Sequence, residues 1–449
     1  ELHGTKRQKF DALGVLDLDD ERFEVTGTGW TDGFVPAADE RWDSYPALND
    51  LYCWTAPGVK PNKTWVYAPD SGVLQQRWDE LTQETDMDRK RKLFKETSST
   101  SLEKSASPLL SEDAEQDTHV PFYKVEWPAQ PAIVEVYYRS FDRQYLIADN
   151  RLLHRASPTL WAGRSDDQIF LVEQHARYPK AGPGVMFAHL ITDMNTFNNR
   201  GGRTLPTFHP DGSPNVAPGL LEVLSRSLGR TVTATDLSAY VAGVSAHPEY
   251  VDMFSKPLHF SGNRVPITAD AMLWDEAVAI GYNIIWLHTY GQRGTPPMGV
   301  SHLMDAPQGE YTLPSYDESV GVNMPEKVTY DENTHTIHLG AGRWSNVAPE
   351  VWSYTVGGVQ VIDSWVGYRR RNPKGRKSSP LDEIITTSWL TEWSRQFSEL
   401  LAVLTHLVHL EGKQHDLLHA VVKGDLLSRE ELEADGVRWP QATSDRVPK

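Results

Sequence analysis

Two glycines, Gly357 and Gly358, separate two runs rich in β-branched and aromatic residues, Val351–Val356 and Val359–Tyr368. A Gly-Gly link between such runs predicts a β-hairpin, because the tight turns whose twist matches paired strands need positive φ at their centre. The second run leads into Arg369, Arg370, Arg371, Asn372, Lys374, Arg376 and Lys377, with no acidic residue among them. The expected object is a rigid hairpin with a cationic end. The chain carries a formal net charge of −17, so positive charge concentrated there points to a polyanion; a solvated basic loop is the plain alternative. Trp365, Tyr368 and Asn372 interleave with the cations, and these residue types stack on bases or read their edges, which favours nucleic acid.

A length of 449 residues predicts two or three domains. Apolar content of 39% with fifteen Trp is enough for packed cores and argues against global disorder. No apolar run approaches the ~18–20 residues that span a bilayer, and Glu1-Leu2-His3-Gly4-Thr5-Lys6-Arg7 lacks an apolar signal core. The missing initiator Met leads us to expect a fragment or a processed product. Cys53 is the single cysteine, which excludes an intrachain disulfide framework and fits a reducing cytoplasm. The acidic balance argues against non-specific coating of DNA but not against a local DNA groove, since the field depends on where charges sit.

Along the chain, Val73–Thr97 reads as a helical stretch, with Leu74, Trp78 and Leu81 at helical spacing. Residues 98–119 are Ser- and acid-rich and read as a linker or long surface loop. Strands are expected at Ile133–Tyr138, Tyr145–Ile147, Gln168–Glu173 and Val185–Ile191. Helices are expected at Gly219–Leu228, at Thr235–Ala246 with Thr233 or Thr235 as cap, and at Asp270–Tyr290. Strands return at Lys327–Tyr330 and Thr336–Leu339. Leu390, Trp393, Phe397, Leu400, Leu401, Leu404, Leu407 and Val408 share one face of a long amphipathic helix. Gly412 is expected to end or interrupt it, with a shorter helix Asp416–Val422 beyond and a frayed tail after Trp439.

Val351-Trp352-Ser353-Tyr354, the Gly turn, Trp365-Val366-Gly367-Tyr368-Arg369-Arg370-Arg371-Asn372 and Ser379-Pro380-Leu381-Asp382 together resemble the C-terminal specificity region of type ISP restriction–modification enzymes. Tyr138-Arg139-Ser140-Phe141-Asp142-Arg143-Gln144-Tyr145 is similar to that family's Tyr-Arg-Pro-Phe-Asp block, with Ser140 in place of proline. Arg264-Val265-Pro266-Ile267-Thr268 is similar to its Arg-Ile-Pro-Leu-Thr block. Leu2-His3-Gly4-Thr5-Lys6 and Pro57-Gly58-Val59-Lys60 resemble stretches downstream of its methyltransferase catalytic motif. The resemblance is collinear over nearly the whole chain. It implies nuclease, translocase, adenine-N6 methyltransferase and target-recognition parts in one polypeptide. It also implies S-adenosylmethionine, ATP and Mg as cofactors of the full-length enzyme.

The catalytic signatures are missing from this stretch. Amino-methylating DNA enzymes hold the target amine with an Asn/Asp/Ser-Pro-Pro-aromatic loop; the nearest string, Thr295-Pro296-Pro297-Met298, lacks both acceptor and aromatic. Gly340-Ala341-Gly342-Arg343-Trp344 is too short for a methyl-donor loop. Gly375-Arg376-Lys377-Ser378 matches only the tail of a phosphate-cradling loop. No catalytic residue is therefore assigned and no cofactor is expected in this chain. His406, His409, His415 and His419 have helical spacing, but with no Cys or well-placed carboxylate in reach they read as ordinary helix histidines, and no metal is expected.

Further DNA-facing candidates are Asn198, Asn199, Arg200 and Arg203 in the polar loop Asp193–Arg203, where Asn suits adenine and Arg guanine or phosphate. Arg139 and Arg143 flank a strand-to-turn step, with salt-bridged structural roles equally open. Lys60 and Lys63 are candidate phosphate contacts, and Arg343 and Trp344 candidate groove residues. The expected fold is mixed α+β in three parts: 1–125, the end of a methyltransferase-like domain plus linker; 126–384, a mixed-sheet target-recognition domain with hairpins; and 385–449, a helical segment. The expected function is sequence-specific duplex DNA recognition in anti-phage defence. The expected partners are duplex DNA and the preceding methyltransferase and translocase parts. A carbohydrate-active protein and a protein–protein scaffold docking through residues 389–408 are the rival classes.

Overall fold

The computed structural model describes residues 5–16, 20, 40–110, 119–175, 177–198, 201–259, 262–375 and 377–449. The fold is α+β, with small antiparallel sheets set around a helical centre. Strands β1 (Tyr67–Ala68), β2 (Ile133–Arg139) and β3 (Asp142–Ile147) pair in the order β1-β3-β2. Strands β4 (Phe170–Gln174), β5 (Val185–Ala188) and β6 (Gly202–Pro206) pair in the order β5-β4-β6. A third sheet, β7 (Ser315–Glu318), β8 (Val328–Asp331), β9 (Thr336–Leu339) and β10 (Gly342–Ser345), runs β7-β10-β9-β8. The last pair is β11 (Thr355–Val356) with β12 (Val359–Gln360).

Eight helices carry the argument: α1 (Ser71–Gln83), α2 (Met87–Phe94), α3 (Leu220–Leu228), α4 (Ala234–Ser245), α5 (Pro248–Met253), α6 (Ala271–His288), α7 (Val361–Gly367) and α8 (Thr391–Lys423). Helices α4 and α6 cross at backbone contact: a Cβ on Gly281 would lie 1.6 Å from the carbonyl oxygen of Ala239. Helix α8 packs across both. One apolar cluster runs from Trp42 to Trp439 and includes side chains from every sheet. Two polar ties lock distant segments into it. Arg77 donates to the carbonyls of Trp65, Tyr67 and Ile384 at 2.8–2.9 Å. Asn215 and Trp54 exchange side-chain and main-chain bonds at 2.7 and 2.8 Å. No helix among the described residues is long and apolar enough to cross a membrane.

Most expected elements stand within two or three residues of their predicted ends, including the Thr233 cap on α4, whose oxygen accepts from the Asp236 amide. Four expectations are corrected. The Val73–Thr97 helix is two helices, because Asp86 caps a new start by accepting from the Arg89 amide at 2.8 Å. Val359–Tyr368 is not one strand: Gly357 and Gly358 do hold φ of 57° and 76°, but the strands beside them are two residues each. Val361, Ile362, Trp365 and Val366, read as alternation, lie at helical spacing and are buried as one face of α7. Gly412 does not interrupt α8, since Leu410, Gln414, Leu417 and Leu418 are buried on either side of it and packing outweighs the ~1 kcal/mol helix cost of Gly. The tail does not fray. Arg446 donates to the carbonyls of Asn49 and Pro440 and approaches Asp50 at 3.5 Å, and the Lys449 amide donates to His209 Nδ1 at 3.3 Å.

Candidate nucleic-acid interface

The basic segment after α7 is held at both ends. At its start, the Arg369 guanidinium pairs with Asp142 at 2.8 Å and donates to the carbonyls of Trp365 and Arg143, each at 3.1 Å. It lies 3.8 Å from the Trp365 ring centroid. At its far end, one oxygen of Asp382 accepts from the amides of Ser378 and Ser379 at 2.6 and 2.9 Å and from the Thr64 hydroxyl at 2.7 Å. Between these anchors, after a helix and beyond the Gly-Gly turn in the chain, Arg371, Asn372, Lys374 and Lys377 are exposed, and the Arg371 and Lys374 amides donate to the carbonyls of Pro325 and Gly367 at 2.9 and 2.6 Å. That turn is itself packed: the Gly358 amide donates to the Ala181 carbonyl at 2.9 Å. The cationic segment is therefore a doubly anchored loop and not the end of a hairpin.

Beneath the loop is a cleft of about 190 Å³. Tyr67, Tyr138, Tyr368, Gln144 and Trp393 line it, and Arg371, Asn372, Lys374 and Lys377 form its rim. The rings make a connected floor, with Tyr138 4.7 Å from Tyr67 and 5.2 Å from Tyr368. Burial raises the Tyr67 and Tyr138 phenols well above their ordinary value, so both stay neutral O–H groups. The Tyr67 O–H donates a hydrogen bond to Asp193 at 2.8 Å. In the sequence this floor is signalled by the Tyr138–Tyr145 block, which contains Gln144, and by Tyr368 beside the cations. Tyr67 and Trp393 carry no such signal, because no spacing rule links residues from separate stretches.

The rim cations are paired at low cost. Arg371 meets Glu326 at 2.8 Å with both side chains more than half exposed. Lys374 pairs with Asp363 and Lys377 with Glu383, again in the open, and Arg370 donates to the Asn372 carbonyl at 3.0 Å. Exposed pairs of this kind are worth ~0–1 kcal/mol, so they hold the rim cations only weakly. Beside Ser378 and Pro380 lies α2, which adds exposed Lys92 and, just past its end, Lys95. These two lysines extend the basic face. Asp88-Arg89-Lys90-Arg91-Lys92 was the available signal, hidden inside what read as an ordinary amphipathic helix.

Other sequence candidates sit elsewhere or face inward. Arg369 is wholly enclosed by the contacts above. Arg139 is buried against Asp193 at 2.7 Å and over the Tyr138 ring at 3.8 Å. Lys63 is buried, bonded to Thr100 and the Leu152 carbonyl, and burial brings its pKa down to about 7. Trp344 is fully buried, stacked on Tyr316 with its indole N–H on Ser398 at 2.9 Å. Trp365 is the buried plate under Arg369. Each of these side chains is thus built into the protein's interior. Arg203 forms two bonds with the buried Glu173, whose other oxygen accepts from Asn263. Arg143 is half-buried over Tyr290 and 3.5 Å from Glu399. Arg343 is partly exposed and pairs with Glu318 at 3.1 Å across β10 and β7. Lys60 is half-buried, with its main chain paired to Arg155.

The Asp193 loop adjoins the cleft through the Arg139–Asp193–Tyr67 links. Asp193 also accepts from the Asn195 amide at 2.7 Å, and Asn198 holds a left-handed φ of 52°. Asn199, Arg200 and Arg376 lie outside the described residues.

Comparison with known proteins places this geometry in a family. The model of the type ISP C-terminal specificity domain matches residues 50–400, and the chain belongs to that family. Among solved structures, a DrdV–DNA complex determined by cryo-electron microscopy matches with a TM-score of 0.56 and 15% identity, covering 93% of this chain and 42% of DrdV. A nuclease-deletion mutant of the type ISP restriction–modification enzyme LlaGI, in complex with a DNA substrate mimic, matches at 0.55 and 14%, covering 85% and 29%. The ATP-dependent type ISP enzyme LlaBIII bound to DNA matches at 0.55 and 14%, covering 85% and 24%. The chain therefore spans less than half the length of each of these proteins. A comparison with curated protein sequences finds no match.

Proposed function

We propose that this chain is the target-recognition part of a type ISP restriction–modification enzyme and grips duplex DNA through the rim of the 370–377 loop and the adjoining end of α2. The observation that carries the reading is the doubly anchored cationic loop over an aromatic floor, in a chain of the specificity-domain family. Arg370, Arg371, Lys374, Lys377, Lys92 and Lys95 supply phosphate contacts that set register. Asn372, Asn198, Asn199 and Arg200 supply side chains that read base edges. The residues ahead of 50 are read as the end of a preceding adenine-N6 methyltransferase part, which would carry catalysis on the positioned adenine. S-adenosylmethionine, ATP and Mg belong to those preceding parts. The biological setting is defence against phage. A cationic rim suits a polyanion and not a neutral glycan, and the apolar face of α8 is buried inside the protein, which removes the surface a scaffold role would use.

Fluorescence anisotropy with a mixed-sequence duplex tests this. With four to six phosphates engaged, log K falls against log salt with a slope of about −4 to −5. Salt-independent association, or none at low salt, overturns the proposal.

A further inference from the structure

We propose that Glu249, His415 and His419 form a site for one divalent transition-metal ion of the zinc class, clasping α5 to the C-terminal half of α8. His415 and His419 stand four apart on a helix that runs unbroken through Gly412, so both rings leave the same face. Their centroids are 4.4 Å apart. Glu249, in the first turn of α5, faces them with one oxygen for each: 3.3 Å to His415 Nδ1 and 2.9 Å to His419 Nε2. One donor atom from each of the three lies within 4.8 Å of the other two.

The donor set names the ion. Two imidazole nitrogens and one carboxylate oxygen suit zinc, whereas magnesium and calcium take oxygen shells. Three protein ligands leave the fourth tetrahedral position to water. The backbone under the site is fixed: Gln414 donates to the carbonyls of Ala242 and Gly243 at 3.4 and 3.3 Å, and Leu417 and Leu418 are buried. The ligands themselves have room, with His415 and His419 side chains 50% and 38% exposed. Small rotations therefore draw the three atoms to the ~2.0–2.2 Å that zinc requires. A neighbouring histidine stands outside this donor set. Two residues before Glu249, buried His247 places Nε2 2.9 Å from the Val244 carbonyl, which can only accept. Its Nδ1 therefore carries a lone pair, and that atom has no hydrogen-bond partner. The spacing of the histidines was visible in the sequence; the carboxylate comes from a helix far away along the chain.

The test uses tag-free, chelator-treated protein with Co²⁺ as the spectroscopic probe and Zn²⁺ in competition. The expected result is a saturable visible cobalt spectrum at one ion per chain, displaced by Zn²⁺ and unaffected by Mg²⁺. Glu249→Gln, His415→Gln and His419→Gln should each weaken Zn²⁺ by more than about tenfold, since even outer-shell partners of a metal are worth that much. His409→Gln, on the same helix, should leave binding intact. Zn²⁺ should raise the melting temperature of the unmutated protein and not that of the three variants. No saturable cobalt spectrum in the unmutated protein, or binding that survives all three substitutions, overturns the site and leaves a plain histidine–carboxylate contact. Neither outcome bears on DNA recognition.

Discussion

Arg369 and Asp142 meet at 2.8 Å with side chains 0% and 1% exposed, so the first arginine of the basic run forms a structural ion pair between the loop and the first residue of β3. Breaking one partner of such a pair strands a buried charge. Arg369→Met should cost ~3–5 kcal/mol, read as a lowered urea midpoint at unchanged slope. Combining it with Asp142→Asn should recover part of the loss. If Arg369→Met is neutral, the pair is not formed in solution.

Exposed cations on the same loop should behave oppositely. Lys374→Ala and Lys377→Ala together should leave the urea midpoint within ~0.5 kcal/mol of the parent. They should also flatten the salt slope of duplex binding by about 2, one for each phosphate no longer neutralised. The Lys92→Ala and Lys95→Ala pair should do the same. Loss of discrimination between duplexes without a change of slope would instead assign these residues to base reading.

Lys63 offers a pH signature. Burial disfavours its charged form and brings its pKa in the folded protein down to about 7, below the ~10.4 of an unfolded lysine. Between those values the unfolded chain holds the proton and the folded protein does not, so this residue's contribution to stability rises with pH across that window, by at most ~1.4 kcal/mol per unit. Below pH 7 both states are charged and the contribution is at its lowest. The difference in unfolding free energy between parent and Lys63→Met should therefore grow in the parent's favour from pH 7 to pH 9.5. A flat difference means that Lys63 reaches solvent.

Leu404 is fully buried in α8. Leu404→Ala should cost ~2–5 kcal/mol through reduced burial and a residual cavity, while duplex binding by the folded fraction keeps its salt slope. An unchanged melting temperature would mean that this face of α8 is open for another partner.

Gly281→Ala puts a methyl 1.6 Å from the Ala239 carbonyl at the α4–α6 crossing. That atom is backbone and cannot swing aside, so the helices must separate. The expected result is a loss of stability by calorimetry despite the better intrinsic helix propensity of Ala. A gain would show that the crossing is loose.

Local chemistry made much of this fold legible. Thr233 announced α4 as a cap, and Gly357-Gly358 announced a turn. The misreadings arose where local patterns are degenerate. Val361-Ile362 and Trp365-Val366 fit a strand's apolar enrichment as well as one helix face, and only the burial of the four together decides between them. Charge was harder still. Nothing in Arg369-Arg370-Arg371 tells the enclosed first arginine from the exposed third, because Asp142 lies far away along the chain. The cleft draws on β1, β2, β3, the loop and α8, so its floor has no linear signature.

Because the 370–377 stretch is pinned at Arg369 and at Asp382, its own composition contributes little to holding the molecule together. Lengthening a closed loop costs only ~0.6 kcal/mol per doubling, and the side chains of Arg371, Asn372, Lys374 and Lys377 are already exposed. The segment is thus a cassette: its residues can be rewritten, or their number changed, while the apolar cluster beneath stays as it is. On the proposed reading, the strength of the grip on DNA can change between these two anchors without altering how the chain folds.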